Sequence, residues 1–295
     1  MSQNKINGIL LVDKPIDKTS NAVLQTVKRL FGAKKAGHTG SLDPLATGML
    51  PIFFGEATKF CQYLLDADKY YETTGCLGIK TDTSDSKGDV ISSSSVDVVE
   101  DHLLHVLDKF KGEILQTPSM FSALKLNGKP LYHYARTGQT VERKSRYISI
   151  KSLQLKGFNS PLFDLEVLCS KGTYIRNLVE DIGDALNVGA HVTRLRRRYC
   201  GGFENVPMYT IDYLVTLTES ERLALLMPVE AALLQFQQLT LTYSEKQDLQ
   251  QGKLVQLRDD KSPTDYRLYD ETGIFFGLGT LTSDYQLKAK RLLSY

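Results

Sequence analysis

One short stretch of the chain gathers most of its chemically capable residues. Gly37-His38-Thr39-Gly40-Ser41-Leu42-Asp43-Pro44-Leu45-Ala46-Thr47-Gly48 places one acid and one histidine among glycines, between a helical pattern and a buried apolar run. Pro44 pushes Asp43 out of the helical region into extended backbone. The loop can therefore hold a single carboxylate at a fixed angle, and its glycines permit a flat ligand to approach the backbone. A carboxylate held in this way suits attack as a nucleophile or removal of a proton. A plainer alternative competes with this reading. Asp followed by Pro is a common helix start, with Asp43 as N-cap and Pro44 in the first turn, and His38 then merely satisfies a turn carbonyl. On residue types alone the helix start is the stronger of the two.

The elements around the loop follow from periodicity. Ile6 to Val12 reads as a buried strand, and Thr19 or Ser20 caps a helix carrying Val23, Val27 and Leu30. Met49 to Phe54 is expected as a strand, Glu56 to Leu65 as an amphipathic helix and Tyr70 to Ile79 as another strand. Thr81 to Asp89 reads as a loop, with serines to Ser95 as a mobile connection. Val96 to Phe110 and Thr173 to Leu186 have helical spacing, while Tyr147 to Leu155 and Leu162 to Cys169 are strands. Near residue 238 the pattern changes to short strands and tight turns, such as Asp270-Glu271-Thr272-Gly273. A boundary is expected there, giving a catalytic domain over 1–238 and a small β-rich module over 239–295.

Composition sets outer limits. With 295 residues, 42% hydrophobic and 24% charged, the chain resembles an ordinary globular protein. A net charge of +2 does not announce a polyanion partner, so a nucleic-acid site must come from local clustering. The four cysteines include no CxxC pair, which argues against a zinc site or a disulfide framework and fits a reduced, cytoplasmic setting. The apolar run Ile9 to Val12 is too short for a secretory segment, and no stretch reaches the length of a membrane span. His102 and His105 share a helix face without a third ligand, so no metal is expected.

Several blocks in order carry a resemblance. The string from Gly37 to Pro51 is similar to the defining motif of the TruB family of pseudouridine synthases. Asp13-Lys14-Pro15 with Thr19-Ser20 looks like that family's first motif. Lys69-Tyr70-Tyr71 with Gly78 and Lys80 to Asp85 looks like its second. Gln116-Thr117-Pro118, Ser122-Ala123-Leu124-Lys125 and Lys129-Pro130-Leu131-Tyr132 resemble its third. Lys171 to Arg176 and His191 to Arg197 complete the set. The tail, with Gly277-Leu278-Gly279-Thr280, is similar to the PUA-type module of bacterial members. Asp17 departs from a common glycine, and Ser119 and Phe121 from a more usual proline and tyrosine.

The resemblance implies an α+β pseudouridine synthase fold, with a mixed, largely antiparallel sheet flanked by helices and a small C-terminal β-barrel. It implies isomerisation of uridine 55 in the T loop of tRNA: the N1–C1′ bond breaks, the uracil turns, and C5 rejoins the sugar. No group or electron enters from outside, so no cofactor is expected. Asp43 takes the role of the reacting carboxylate, Arg176 keeps it ionised and oriented, and Tyr71 stacks on the extruded base. Tyr174 and Leu195 line the base pocket, Lys14 lies near the catalytic loop, and His38 meets T-loop bases. Tyr70 and Tyr71 point to opposite faces of their strand, so only one faces the site. Basic groups at Lys34-Lys35, Arg143-Lys144 with Arg146, and Arg194-Arg196-Arg197-Arg198 read as phosphate contacts. A monomer acting on tRNA, away from membranes, is expected. The competing reading is a non-catalytic RNA-binding or tRNA-folding protein on the same scaffold.

Overall fold

Strand Gly8–Lys14 is apolar from Ile9 to Val12, and all of it but Asp13 is buried. It pairs antiparallel with Thr47–Phe54, in a register that sets Lys14 opposite Gly48. The computed structural model describes residues 6–122, 124–257 and 261–294, so Ala123 of the third sequence block lies outside the described residues. The main sheet runs Gly8–Lys14, Thr47–Phe54, Ala190–Cys200, Lys69–Leu77, Leu162–Cys169, Arg146–Asn159 and Gly112–Gln116, with Ala36–His38 added beside Thr47–Phe54. Only the contact between Ala190–Cys200 and Thr47–Phe54 is parallel; the others in this sheet are antiparallel, as expected.

Helix Ser20–Leu30 settles the choice of cap. Thr19 Oγ1 accepts from the Ala22 backbone N–H at 3.1 Å, which leaves Ser20 free for a different task. Buried Ser20 accepts from the Leu42 N–H at 2.7 Å and donates to the Leu42 carbonyl at 3.0 Å. The helix thereby grips the residue before Asp43. Ile175–Ala185 buries Leu178, Val179 and Ile182 against the core beneath the sheet. Lys69–Leu77 alternates buried and half-buried residues throughout, so Lys69, Tyr71 and Thr73 share the inward face. Tyr70 points outward and stacks on Tyr199 with ring centroids 5.0 Å apart.

Some local readings need correction. Glu56 to Leu65 is a 3-10 turn over Gly55–Phe60 followed by a short α-helix, Cys61–Leu65. The serine-rich connection is partly ordered by pairing: Val90–Ser93 forms a strand against Ile79–Thr81. The helix expected from Val96 is shorter, spanning Glu100–Asp108. The sequence pattern predicts neither the strand Gly112–Gln116 nor the helix Tyr243–Gln250, and both are present. Asp17 does adopt left-handed backbone, with φ of 61°, a conformation that Asp tolerates better than most residues.

A second, five-stranded sheet contains Gln237–Leu241, Asp265–Asp270, Phe275–Leu281, Gln286–Leu292 and Val255–Gln256. It covers its own apolar cluster, including Leu241, Leu268, Phe276 and Leu287. A separate cluster joins the two sheets: Phe60 packs edge-on against Phe275 with ring centroids 5.9 Å apart, in the same buried cluster as Phe203 and Leu233. No helix among the described residues is long and apolar enough to cross a membrane.

Candidate active site

Asp43 caps no helix. Residues 41–46 form no helix at all, and the carboxylate, about two-fifths exposed, borders a cavity of about 340 Å3. The cavity falls at the lower end of the range for small-molecule sites. Its walls come from distant segments: Ser41 to Asp43 from the loop, Tyr71 from the central strand, Tyr174 to Arg176 from the helix start, and Leu195 and Arg197 from a neighbouring strand. Five of the seven expected site residues therefore meet around one space: Asp43, Tyr71, Arg176, Tyr174 and Leu195.

Arg176 is almost fully buried, and its Nε lies 2.8 Å from Asp43 Oδ2. The N–H does not point along that line, so charge rather than an in-line hydrogen bond holds the pair. The rest of the guanidinium is fixed by the protein. Nη1 donates to the Thr83 carbonyl at 2.6 Å and Nη2 to the Phe121 carbonyl at 3.0 Å. Nη1 also lies 3.6 Å from Asp85 Oδ2. One planar fork thus ties the helix start to three loops, a task suited to arginine's rigid donor geometry. Phe121 contributes its backbone here, so its departure from tyrosine leaves this contact intact.

Tyr71 is buried beneath the cavity, and burial pushes its phenol up to about 12 while the Arg197 guanidinium pulls it back. The phenol is protonated at neutral pH and can donate a hydrogen bond. Tyr174 stands at the cavity wall, its backbone held in both directions by Gln116: Tyr174 N–H donates to Gln116 Oε1 at 2.9 Å, and Gln116 Nε2 donates to the Tyr174 carbonyl at 3.1 Å. Arg146 lies over the Tyr174 ring at 5.2 Å and donates to the Gly172 carbonyl. Arg146 braces an aromatic wall in addition to any phosphate role.

Lys14 and His38 do not line the cavity. Lys14 is fully buried behind the loop, donating to the carbonyls of Lys18 at 2.6 Å, Pro15 at 2.9 Å and Pro44 at 3.3 Å. Burial lowers its ammonium to about 8, while Asp43 and Asp17 oppose the shift. His38 pairs across to Ile52 in a short strand, and burial together with Arg197 lowers its imidazole below the usual value. Its Nδ1 is buried without a hydrogen-bond partner.

The basic run Arg194 to Arg198 does not present a single face: the Arg194 and Arg198 side chains stay about half exposed, and Arg197 turns inward. Arg197 is 1% exposed, Arg196 forms a two-pronged pair with Asp13 at 2.7 and 3.0 Å, and Arg198 lies 3.5 Å from Glu72. The strand turns alternate residues to opposite faces and gives each a different surrounding. Sequence reasoning also passed over Lys69, which lines the cavity and donates to the carbonyls of Leu65 at 2.7 Å and Ala67 at 2.5 Å. Alternation was the available signal: residues two apart from Leu195 and Tyr71 had to share their face.

A carboxylate beside a fixed guanidinium, with aromatic walls over a small cavity, is an arrangement suited to carboxylate chemistry on a flat ring. Residues 28–175 match the TruB family pseudouridylate synthase (N terminal domain), residues 176–234 the tRNA pseudouridylate synthase B C-terminal domain, and residues 238–293 the Pseudouridine synthase II TruB, C-terminal. The chain is 54% identical to tRNA pseudouridine synthase B of Legionella pneumophila, covering 100% of this chain and 98% of that protein. It is 48% identical to tRNA pseudouridine synthase B of Haemophilus influenzae, covering 92% and 89%. Among solved structures it is similar to a chain in the crystal structure of a Cbf5-Nop10-Gar1 complex, with a TM-score of 0.74 and 24% identity over 98% of this chain and 85% of that one. That likeness concerns the fold. The chain belongs to the TruB family of pseudouridylate synthases, and is an isomerase.

Proposed function

We propose that this enzyme converts uridine 55 in the T loop of tRNA to pseudouridine, with Asp43 as the reacting carboxylate. The Arg176–Asp43 contact of 2.8 Å at the cavity mouth carries the reading. The adjacent guanidinium fixes the direction of the carboxylate through a charged contact. Asp43 is thereby ready to act at the sugar or the base once the nucleotide is extruded, a step costing a few kcal/mol in general. Tyr71 lies under the ring, and Tyr174 and Leu195 flank it. Lys14 supports the loop from behind through Pro44, and His38 occupies the loop's entrance beside the unstacked bases. Breaking N1–C1′ and making C5–C1′ conserves every atom except the C5 proton, which leaves to solvent while N1 regains one. The reaction needs no cofactor.

Residues 1–238 form the catalytic domain in this reading, and residues 239–295 a PUA-like RNA-binding module. The enzyme works as a cytoplasmic monomer on the tRNA T stem-loop. The alternative, an RNA-folding protein without catalysis, has no use for a guanidinium-held carboxylate in a cavity. Incubation with a tRNA transcript tritiated at uracil C5 tests the choice. Native enzyme releases tritium, whereas Asp43→Asn releases none and still binds the RNA. Equal release from both proteins removes Asp43 from the mechanism.

A further inference from the structure

We propose that Arg197 is a positioning residue that locks the Asp43 loop onto Tyr71, setting the distance between the two groups that meet the nucleoside. The inference rests on Asp43 being the reacting carboxylate.

Arg197 is 1% exposed, among the most buried large side chains in the protein. Such burial of a guanidinium is costly unless its donors are used. Among the described residues no carboxylate forms an ion pair with it, so ordinary charge pairing does not account for its place. Its donors go to both flanks of the loop instead. Nε donates to the Met49 carbonyl at 2.7 Å and Nη2 to the Gly40 carbonyl at 2.9 Å. Asp43 lies between those two anchor points.

The backbone of Arg197 completes the brace. Its strand lies between the strand that follows the loop and the strand that bears Tyr71, with Arg197 opposite Gly48 on one side and Tyr71 on the other. A Cβ at Gly48 would lie 2.2 Å from the Arg197 carbonyl oxygen, and one at Gly40 would lie 3.1 Å from Arg197 Nη1. Both glycines have positive φ, 98° and 64°. The two glycines that bracket Asp43 thus owe part of their identity to the closeness of this one arginine. The guanidinium also opposes the upward shift that burial imposes on the Tyr71 phenol. The guanidinium fork on the loop and the backbone pairing with the Tyr71 strand therefore reference the two to each other, across a cavity where a displacement of about 1 Å can cost roughly a hundredfold in rate.

Arginine is required because the task needs two separated donors in one plane. Lysine supplies charge and a single donor point. In the full-length enzyme, Arg197→Lys should fold and bind tRNA within threefold of native affinity, while single-turnover tritium release falls about a hundredfold. Coupling to Tyr71 separates positioning from a general loss of structure. If Arg197 acts by placing Tyr71 against Asp43, Tyr71→Phe introduced into Arg197→Lys adds much less than it does in native enzyme. Three results would overturn the proposal: release within threefold of native, losses that multiply in the double variant, or failure of Arg197→Lys to fold. Asp43→Asn measured alongside reports on the carboxylate by itself. An active Asp43→Asn sinks the assignment of Asp43, whereas multiplicative losses with an inactive Asp43→Asn sink only the role of Arg197.

Discussion

The cavity around Asp43 and the five-stranded C-terminal sheet handle charge in opposite ways. Beside the cavity, Lys14, Lys69, Arg176 and Arg197 are all buried, and most of their donors go to backbone carbonyls. In the C-terminal sheet, cations such as Lys253 and Lys290 stay at the surface, paired with Asp248 and Asp265, over an interior of Leu, Val, Phe and Tyr. Buried cations are costly, and a protein retains them where a field is useful. The two regions thus differ in how deeply they bury charge, and the contrast can be broken by substitution.

The largest effect is expected at the cavity. Arg176→Gln removes the charge beside Asp43 and should lower single-turnover tritium release by about 10²–10³-fold, the scale for a preorganised electrostatic donor. Affinity for tRNA should stay near native in a binding assay. A native rate would show that the ion pair does no catalytic work.

Next is Leu268→Ala in the C-terminal sheet, where the side chain is fully buried. The truncation should destabilise by about 2–5 kcal/mol, read from denaturant unfolding, while the release rate per folded molecule stays unchanged at saturating tRNA. A matching loss of rate would mean that the C-terminal sheet contributes to the chemistry.

Lys14 gives a pH test of smaller size. Its folded-state value of about 8 lies below the ordinary 10.5, so between those values the unfolded chain binds more protons than the native one. Native stability should therefore rise with pH across about 8 to 10.5, by no more than about 3 kcal/mol. Lys14→Met should lose that slope, and identical slopes in both proteins would contradict the burial of the ammonium. The smallest effect belongs to the surface: Lys253→Gln, opposite Asp248, should change stability by less than about 1 kcal/mol, and less again in high salt.

Periodicity carried most of the elements near the site. The alternation around Tyr70 and Tyr71 indicated that one ring faces inward, and the stack of Tyr70 on Tyr199 decides which. Thr19 and Ser20 are equal candidates for a cap in the sequence; Thr19 takes the Ala22 N–H, while Leu42 engages Ser20. The strand Gly112–Gln116 was harder to read because it lies at a sheet edge with much of its length exposed, where no alternating pattern is imposed. The serine-rich strand Val90–Ser93 is exposed throughout and owes its conformation to pairing with Ile79–Thr81.

The amino-acid order alone determined which residue types were available: a lone acid between glycines, a tyrosine on an alternating strand, an arginine at a helix start. These are local properties, set by backbone sterics and the period of each element. Tertiary structure alone decided which charges meet. Arg176 reaches Asp43 across more than a hundred residues, and Arg197 turned inward beside it while Arg196 and Arg198 found acids elsewhere. The physical reason is that a cation's role depends on what surrounds it after water is removed, and sequence spacing does not record those surroundings.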